Sequence, residues 1–254
     1  MIQLSDITLV VALDKPHFTE FKSVFPTWLK FHPEIARMKK IFLCDGKVMS
    51  SDAWKSSLAA FNTNSDIDVV PLVNGPEDQR EAMLGLFVVR APERVTTPYW
   101  MKIDTDAVCT GPSELIKQEW FHGDPAIIAP GWGYTKPIGH IRKLDKWAEE
   151  VTGLNMYHKP LNLNQCETSM RMGIKRVHHP RITSWISIIE TNFSLDAAEF
   201  ITHNLPVPSQ DTFHWYVASR MKRVICATRE ISKGWQHLSG RKARTRKIKE
   251  IMGE

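Results

Sequence analysis

The sequence predicts an α/β fold built on an open, mainly parallel sheet. Three observations carry that prediction. Short apolar, β-branched runs alternate with segments of helical periodicity; the alternation fills the first part of the chain; and acidic residues stand where three of the runs end.

The run Ile7-Thr-Leu-Val-Val-Ala-Leu13 is continuous and apolar, as expected of a strand covered on both faces. Apolar residues near helical spacing (Phe18, Phe21, Phe25, Trp28, Leu29) predict a helix over 17–31, with Pro26 expected to kink or divide it. A second strand is predicted over 41–44, ending at Asp45-Gly46, and a short helix over 51–61 with Trp54, Leu58 and Ala59 on one side. A third strand over 67–73 precedes a helix over 79–89, whose Met83, Leu84, Phe87 and Val88 form an apolar stripe. The fourth strand covers 99–103, and Asp104 stands at its end. In such sheets ligands collect beyond the carboxyl ends of the strands, and Asp14, Asp45 and Asp104 all fall there.

The second half is less regular. It predicts strands over 126–129, 184–190 and 224–227, helices over 142–151 and 211–221, and loop-like chain over 152–180. With 254 residues and no internal repeat, one domain is expected. The change in regularity divides it into 1–110 and 111–237, followed by a basic tail over 238–254.

Composition narrows the class. A chain 43% hydrophobic and 24% charged suits a globular protein, and no apolar run approaches the ~18 residues of a membrane span. The first residues lack the pattern of a signal peptide. Cys44, Cys109, Cys166 and Cys226 are scattered, with no CxxC pair, which argues against a zinc site or a disulfide framework. A cytoplasmic location with reduced cysteines is the expectation. Charge is placed unevenly. Residues 238–254 hold Arg241, Lys242, Arg244, Arg246, Lys247 and Lys249 against Glu250 and Glu254, a net of +4 in a chain whose total is +5. A second block, with Arg171, Lys175, Arg176 and Arg181, lies within 171–181. Such blocks are either solvated surface or contacts for a polyanion or diphosphate.

Asp104-Thr105-Asp106 is the motif with chemical content. Two carboxylates at i and i+2 face one side of extended chain and can direct oxygen at one divalent cation, which suits Mg2+ or Mn2+. The pattern alone is weak, since by chance roughly every second chain of this size would contain it. The chain supplies a control: Asp66-Ile67-Asp68 has the same form but precedes its strand, and reads as surface and turn. The competing reading for Asp104 and Asp106 is turn formation with capping of a helix near 112–114.

Taken together, Ile7-Thr-Leu-Val-Val-Ala-Leu13, Lys40-Ile-Phe-Leu-Cys-Asp-Gly46, Gln79-Arg80-Glu81-Ala82-Met83 and Thr97-Pro-Tyr-Trp-Met-Lys-Ile-Asp-Thr-Asp106 resemble the signature stretches of GT-A fold glycosyltransferases. They are similar in particular to the inverting family 2 and its relatives. The likeness covers roughly residues 5 to 115, and its order is more specific than any one motif.

The resemblance implies roles. Asp104 and Asp106 hold a Mn2+ or Mg2+ ion and, through it, the diphosphate of a nucleotide sugar, most simply a UDP-sugar. Asp45 and Asp14 reach the base or ribose, and Arg80 the diphosphate or ribose. Ser209-Gln210-Asp211-Thr-Phe-His-Trp resembles the element carrying the catalytic base, with Gln210 where that family usually has Glu; Asp211 is then the base. Gly234-Trp235-Gln236-His237 resembles the late element whose histidine joins the cation, which makes His237 a third ligand. Each has a plainer reading: Asp45 as a turn former, Arg80 as a solvated helix residue, Asp211 as an N-cap, His237 as an exposed histidine.

The acceptor side is the least legible. Trp132, Trp185 and Trp215 can line a sugar or base, and Arg176, Arg241, Lys242 and Arg244 can contact phosphates. With no membrane segment, these residues point to a polyanionic acceptor, and the chain is similar in size to GT-A proteins that glycosylate hydroxymethylated bases in DNA. The leading expectation is sugar transfer to a 5-hydroxymethylpyrimidine in duplex DNA, the base leaving the stack to react. A glycan or lipid-linked saccharide acceptor is the first alternative. A non-catalytic nucleotide- or nucleic-acid-binding module is the second.

Overall fold

The computed structural model describes residues 1–45, 50–61, 67–72, 87, 90–130, 132–137, 178–182, 185–199, 210–238 and 240–253. The helices expected over 79–89 and 142–151 lie outside the described residues, save Phe87.

Chain order begins with β1 (Ile7–Leu13), α1 (Lys15–Phe31), β2 (Lys40–Asp45), α2 (Ser51–Leu58) and β3 (Ile67–Leu72). It continues with α3 (Ala91–Arg94), β4 (Tyr99–Ile103), β5 (Ala107–Cys109), β6 (Ile127–Ala129) and β7 (Trp132–Pro137). The last elements are β8 (His178–Ile182), β9 (Ile186–Glu190), α4 (Thr191–Ala198), α5 (Gln210–Arg220), β10 (Ile225–Ala227), β11 (Trp235–His237) and α6 (Arg241–Met252).

Seven strands form the central sheet in the order β10-β6-β9-β4-β1-β2-β3. Four of its pairs are parallel, and β9 runs antiparallel to both β4 and β6. The chain winds outward from β1 through β2 to β3, then returns to place β4 on the other side of β1. That reversal makes the carboxyl ends of β1 and β4 the topological switch point, where an open α/β sheet binds ligands.

The period-two pattern of β1 explains its burial on both sides. Leu9, Val11 and Leu13 join the core under α1, and Val10 and Ala12 join the core on the opposite face with Trp100, Phe213 and Tyr216. The helix α1 is continuous through Pro26, so the proline does not divide it. Phe21, Val24, Phe25 and Trp28 are all buried around the proline, and the Thr27 hydroxyl donates to the Val24 carbonyl at 2.7 Å. Packing on this scale, at roughly 2 kcal/mol or more per large apolar side chain, is enough to offset one missing backbone bond.

The second half corrects several expectations. Residues 178–180, read as the end of a loop, belong to β8, which pairs antiparallel with β7. The short strands β5 and β11 pair antiparallel in a second small sheet, and neither was expected. No helix starts at 112–114, so the capping role considered for Asp104 and Asp106 has no helix to serve. The basic tail is a helix, α6, docked on α1: Ile248 and Ile251 pack against the core, and Lys30 donates to the Ile251 carbonyl at its carboxyl end. Cys44, Cys109 and Cys226 are free thiols, and Cys166 lies outside the described residues. Among the described residues no helix is long and apolar enough to cross a membrane.

Candidate metal and donor site

Asp104 and Asp106 lie in a tight turn between β4 and β5. The Ala107 amide donates to the Asp104 carbonyl at 2.9 Å, closing it. Strand alternation is therefore not what brings the two carboxylates together; the turn is. Its entry is fixed from the neighbouring chain, where the Trp185 carbonyl accepts the Asp104 amide at 2.7 Å. Its exit is fixed by α1: the Trp28 indole donates to the Ala107 carbonyl at 2.7 Å, and the Thr27 hydroxyl accepts the Cys109 amide at 3.1 Å.

The third group arrives on β11. In register, Trp235 faces Cys109 and His237 faces Ala107, which sets the imidazole beside the aspartate turn. The Trp235 ring anchors the strand, edge-on to Trp28 and stacked on His32. The strand is reached through Gly234 at φ +78°, whose carbonyl accepts the Thr110 and Gly111 amides. A Cβ there would stand 2.5 Å from the Gly111 carbonyl oxygen, so both conformation and space require glycine.

The result is a convergent donor set. His237 Nε2 lies 2.9 Å from Asp106 Oδ1 and 3.7 Å from Asp104 Oδ2. One ligand atom from each of Asp104, Asp106 and His237 falls within 4.8 Å of the others. Two carboxylates and an imidazole, partly open to solvent, fit a divalent cation of the Mn2+ or Mg2+ kind, and the nitrogen favours Mn2+. Around Asp106, burial works to raise the carboxyl, but the hydrogen bond and charge of His237, with the charge of Arg244, hold it below its usual range. His237 is correspondingly raised: the Asp106 hydrogen bond comes first, burial opposes it, and the charges of Asp106 and Asp104 add to it.

Residues that the sequence did not flag complete the surroundings. Lys102, two positions before Asp104 on β4, sets its ammonium 2.6 Å from Asp104 Oδ1. Glu20 on α1 accepts from the Thr105 hydroxyl at 3.3 Å and pairs with Arg244 at 2.6 Å. The Trp185 ring, expected on the acceptor side, stacks on His237 with centroids 5.6 Å apart. A lysine inside an otherwise apolar strand was the one available sequence signal; Glu20 looks like any solvated helix position.

The other expected residues divide. Asp14, directly after β1, caps α1 by accepting from the His17 amide at 2.8 Å, and its carboxylate meets His17 Nδ1 at 2.7 Å. Burial works to raise that carboxyl, the His17 hydrogen bonds outweigh it, and the net shift is downward. Asp45 closes β2 at the same edge of the sheet. Asp211 is the second residue of α5, at a helix start as expected. Arg80 and Arg176 lie outside the described residues. Arg241 and Lys242 are exposed on α6. Arg244 is a correction: it is 5% exposed, and its guanidinium is committed to Glu20 and the Leu238 carbonyl, because its position on α6 faces α1. Trp215 is likewise buried in the core and lines no surface. Of the control triplet, Ile67 and Asp68 open β3, at the amino end of the strand, and Asp66 lies outside the described residues.

No protein-family model and no curated protein matches the sequence. Solved structures do match by shape. Core-mannan synthase A from Aspergillus fumigatus, in its Mn/GDP form, superposes with a TM-score of 0.56 at 8% identity, over 92% of this chain and 74% of its own. The S. cerevisiae mannosyltransferase Ktr4p in complex with GDP gives a TM-score of 0.56 at 8% identity, over 92% of this chain and 71% of its own. The chain has the GT-A fold. The GT-A sheet also accounts for the site's place, because Asp14 and the aspartate turn flank the switch point between β1 and β4.

Proposed function

We propose that the chain is a metal-dependent glycosyltransferase that moves a sugar from a nucleoside-diphosphate sugar to a hydroxyl acceptor. The observation that carries the reading is the convergence of Asp104, Asp106 and His237 at the switch point of a GT-A sheet. A bound Mn2+ or Mg2+ would neutralise charge on the diphosphate as it leaves. The chain's own residues do the rest. Asp104 and Asp106 offer oxygen and His237 nitrogen; Asp14, Asp45 and Arg80 are proposed for the nucleoside end; Trp185 forms a wall beside the metal site.

Asp211 is proposed as the base of an inverting transfer. It takes the proton from the acceptor hydroxyl as the new oxygen bond forms at the anomeric carbon and the bond to the diphosphate oxygen breaks. Its place at the start of α5 supports the role. For the acceptor, the exposed cationic stripe of α6, with Arg241, Lys242, Arg246 and Lys249, favours a polyanion, and hydroxymethylated duplex DNA is the proposed substrate.

The test is a donor screen with Mn2+, reading nucleotide release. UDP-sugars are the sequence-based choice, and GDP-sugars belong beside them because the two neighbours above hold GDP. Hydroxymethylated DNA, plain DNA and a simple saccharide serve as acceptors. Metal-dependent release stimulated by hydroxymethylated DNA supports the full reading. Full activity in EDTA overturns the metal role. Stimulation by the saccharide alone moves the acceptor to a glycan, and failure to bind any nucleotide sugar leaves a non-catalytic binding module.

A further inference from the structure

The two segments that carry the metal ligands are tied together by more than the short β5–β11 pair. Glu20, on α1, reaches both. Its Oε2 accepts from the Thr105 hydroxyl at 3.3 Å, between the two aspartates, and its Oε1 accepts from Arg244 Nη2 at 2.6 Å. Arg244 in turn donates from Nη1 to the Leu238 carbonyl at 2.8 Å, and the Leu238 amide donates to the Asp106 carbonyl at 3.2 Å. The contacts form a closed ring: aspartate turn, Glu20, Arg244, Leu238, and back to Asp106. Three of its four links touch a proposed ligand or its neighbour, since Thr105 separates Asp104 from Asp106 and Leu238 follows His237.

Burial of its cation makes the ring more than incidental. Arg244 is nearly buried, and a guanidinium taken from water is tolerated only where its donors are matched. Here they are matched by one carboxylate and one backbone carbonyl, both next to the site. The β5–β11 pair has three residues in each strand, too few to define the spacing of Asp106 and His237 with rigidity.

We infer that Glu20 and Arg244 are positioning residues of the metal centre, holding the aspartate turn and His237 at the spacing a divalent cation needs. The inference rests on the metal reading proposed above. It gives α6 a second task, its inward face bracing the ligands while its outward face presents Arg241, Lys242, Arg246 and Lys249.

The experiment measures Mn2+ affinity of the full chain by electron paramagnetic resonance, without nucleotide, beside thermal melts. Glu20→Gln and Arg244→Met are expected to weaken Mn2+ binding about 10- to 100-fold, the usual effect of removing groups that orient metal ligands. Thr105→Val, which leaves the ion pair in place, should weaken it about fivefold, the worth of one hydrogen bond. Arg244→Lys should recover part of the loss, and Lys247→Gln, on α6 but outside the ring, should change nothing. A lower melting temperature with unchanged Mn2+ affinity in Glu20→Gln and Thr105→Val overturns the inference, because a merely structural pair behaves that way. Wild-type binding with every variant unchanged does the same. Absence of Mn2+ binding by the wild type overturns the metal reading, and this inference with it.

Discussion

Two carboxylate–imidazole pairs sit at the carboxyl edge of the sheet, and they are unlike in origin. Asp14 and His17 meet at 2.7 Å within the first turn of one helix. Asp106 and His237 meet at 2.9 Å across two strands from opposite parts of the chain. In both, the acid is lowered and the imidazole raised. The first pair needs only that a helix begin with Asp at its cap and His three residues on, and helices supply that geometry freely. The second exists only when α1, β5 and β11 have all packed. It also has what the first lacks among the described residues, a further carboxylate 3.7 Å from the same imidazole nitrogen. Close approach of acid and histidine is therefore cheap, and a second carboxylate assembled by tertiary structure is what sets the candidate site apart.

That contrast can be broken most decisively by removing a ligand. Asp106→Asn and Asp104→Asn should each weaken Mn2+ binding by about 100-fold or more in a titration calorimeter and abolish metal-dependent nucleotide release. Asp14→Asn, measured the same way without nucleotide, should leave Mn2+ affinity within about twofold. Equal losses in the two pairs would erase the distinction.

His237→Gln comes next, since two carboxylates remain; about a tenfold loss of Mn2+ affinity is expected. The proton and the cation compete for this imidazole, whose proton is held more tightly than usual by Asp106. Mn2+ affinity should therefore climb as pH rises above the ordinary histidine range, and the climb should vanish in His237→Gln.

For the local pair the readout is stability. Asp14→Ala removes the cap of α1 and should cost about 1 kcal/mol in urea unfolding, while Asp14→Asn, itself a good cap, should recover most of it. The smallest effect is the pH dependence of that pair. His17 is raised, first by the Asp14 hydrogen bond, so its contribution is present in full below its unfolded pKa and is lost as pH rises through the folded one. Asp14 is lowered, so its contribution is lost only as pH falls through its folded pKa. The pair should add most between about pH 4 and 6.5, by less than about 1 kcal/mol given its exposure. A flat difference between wild type and Asp14→Asn across that window would remove the charge component.

The parallel part of the fold was readable because its signals are local. The runs at 7–13 and 99–103 coincide with β1 and β4, and Asp104 does stand at a strand end. What stayed hidden depends on partners far along the chain. The three-residue strands β5 and β11 have no periodicity to detect, and each is a strand only because the other is present. The charges of the last residues were read as one basic block. Their division into an outward stripe and an inward Arg244 follows from which side of α6 meets α1, and composition does not carry that. The pairing of Thr105 and Arg244 through Glu20 was invisible for the same reason, and so was the stacking of Trp185 on His237.

The pairing of β5 with β11 has a consequence for the order of events in synthesis. A nascent chain can complete the aspartate turn long before residue 237 leaves the ribosome, and until then any cation meets carboxylates alone. On the proposed metal reading, the three-ligand set is complete only once β11 has paired with β5. A chain cut just upstream of Trp235 would still contain every strand of the central sheet yet lack both β11 and the proposed nitrogen ligand.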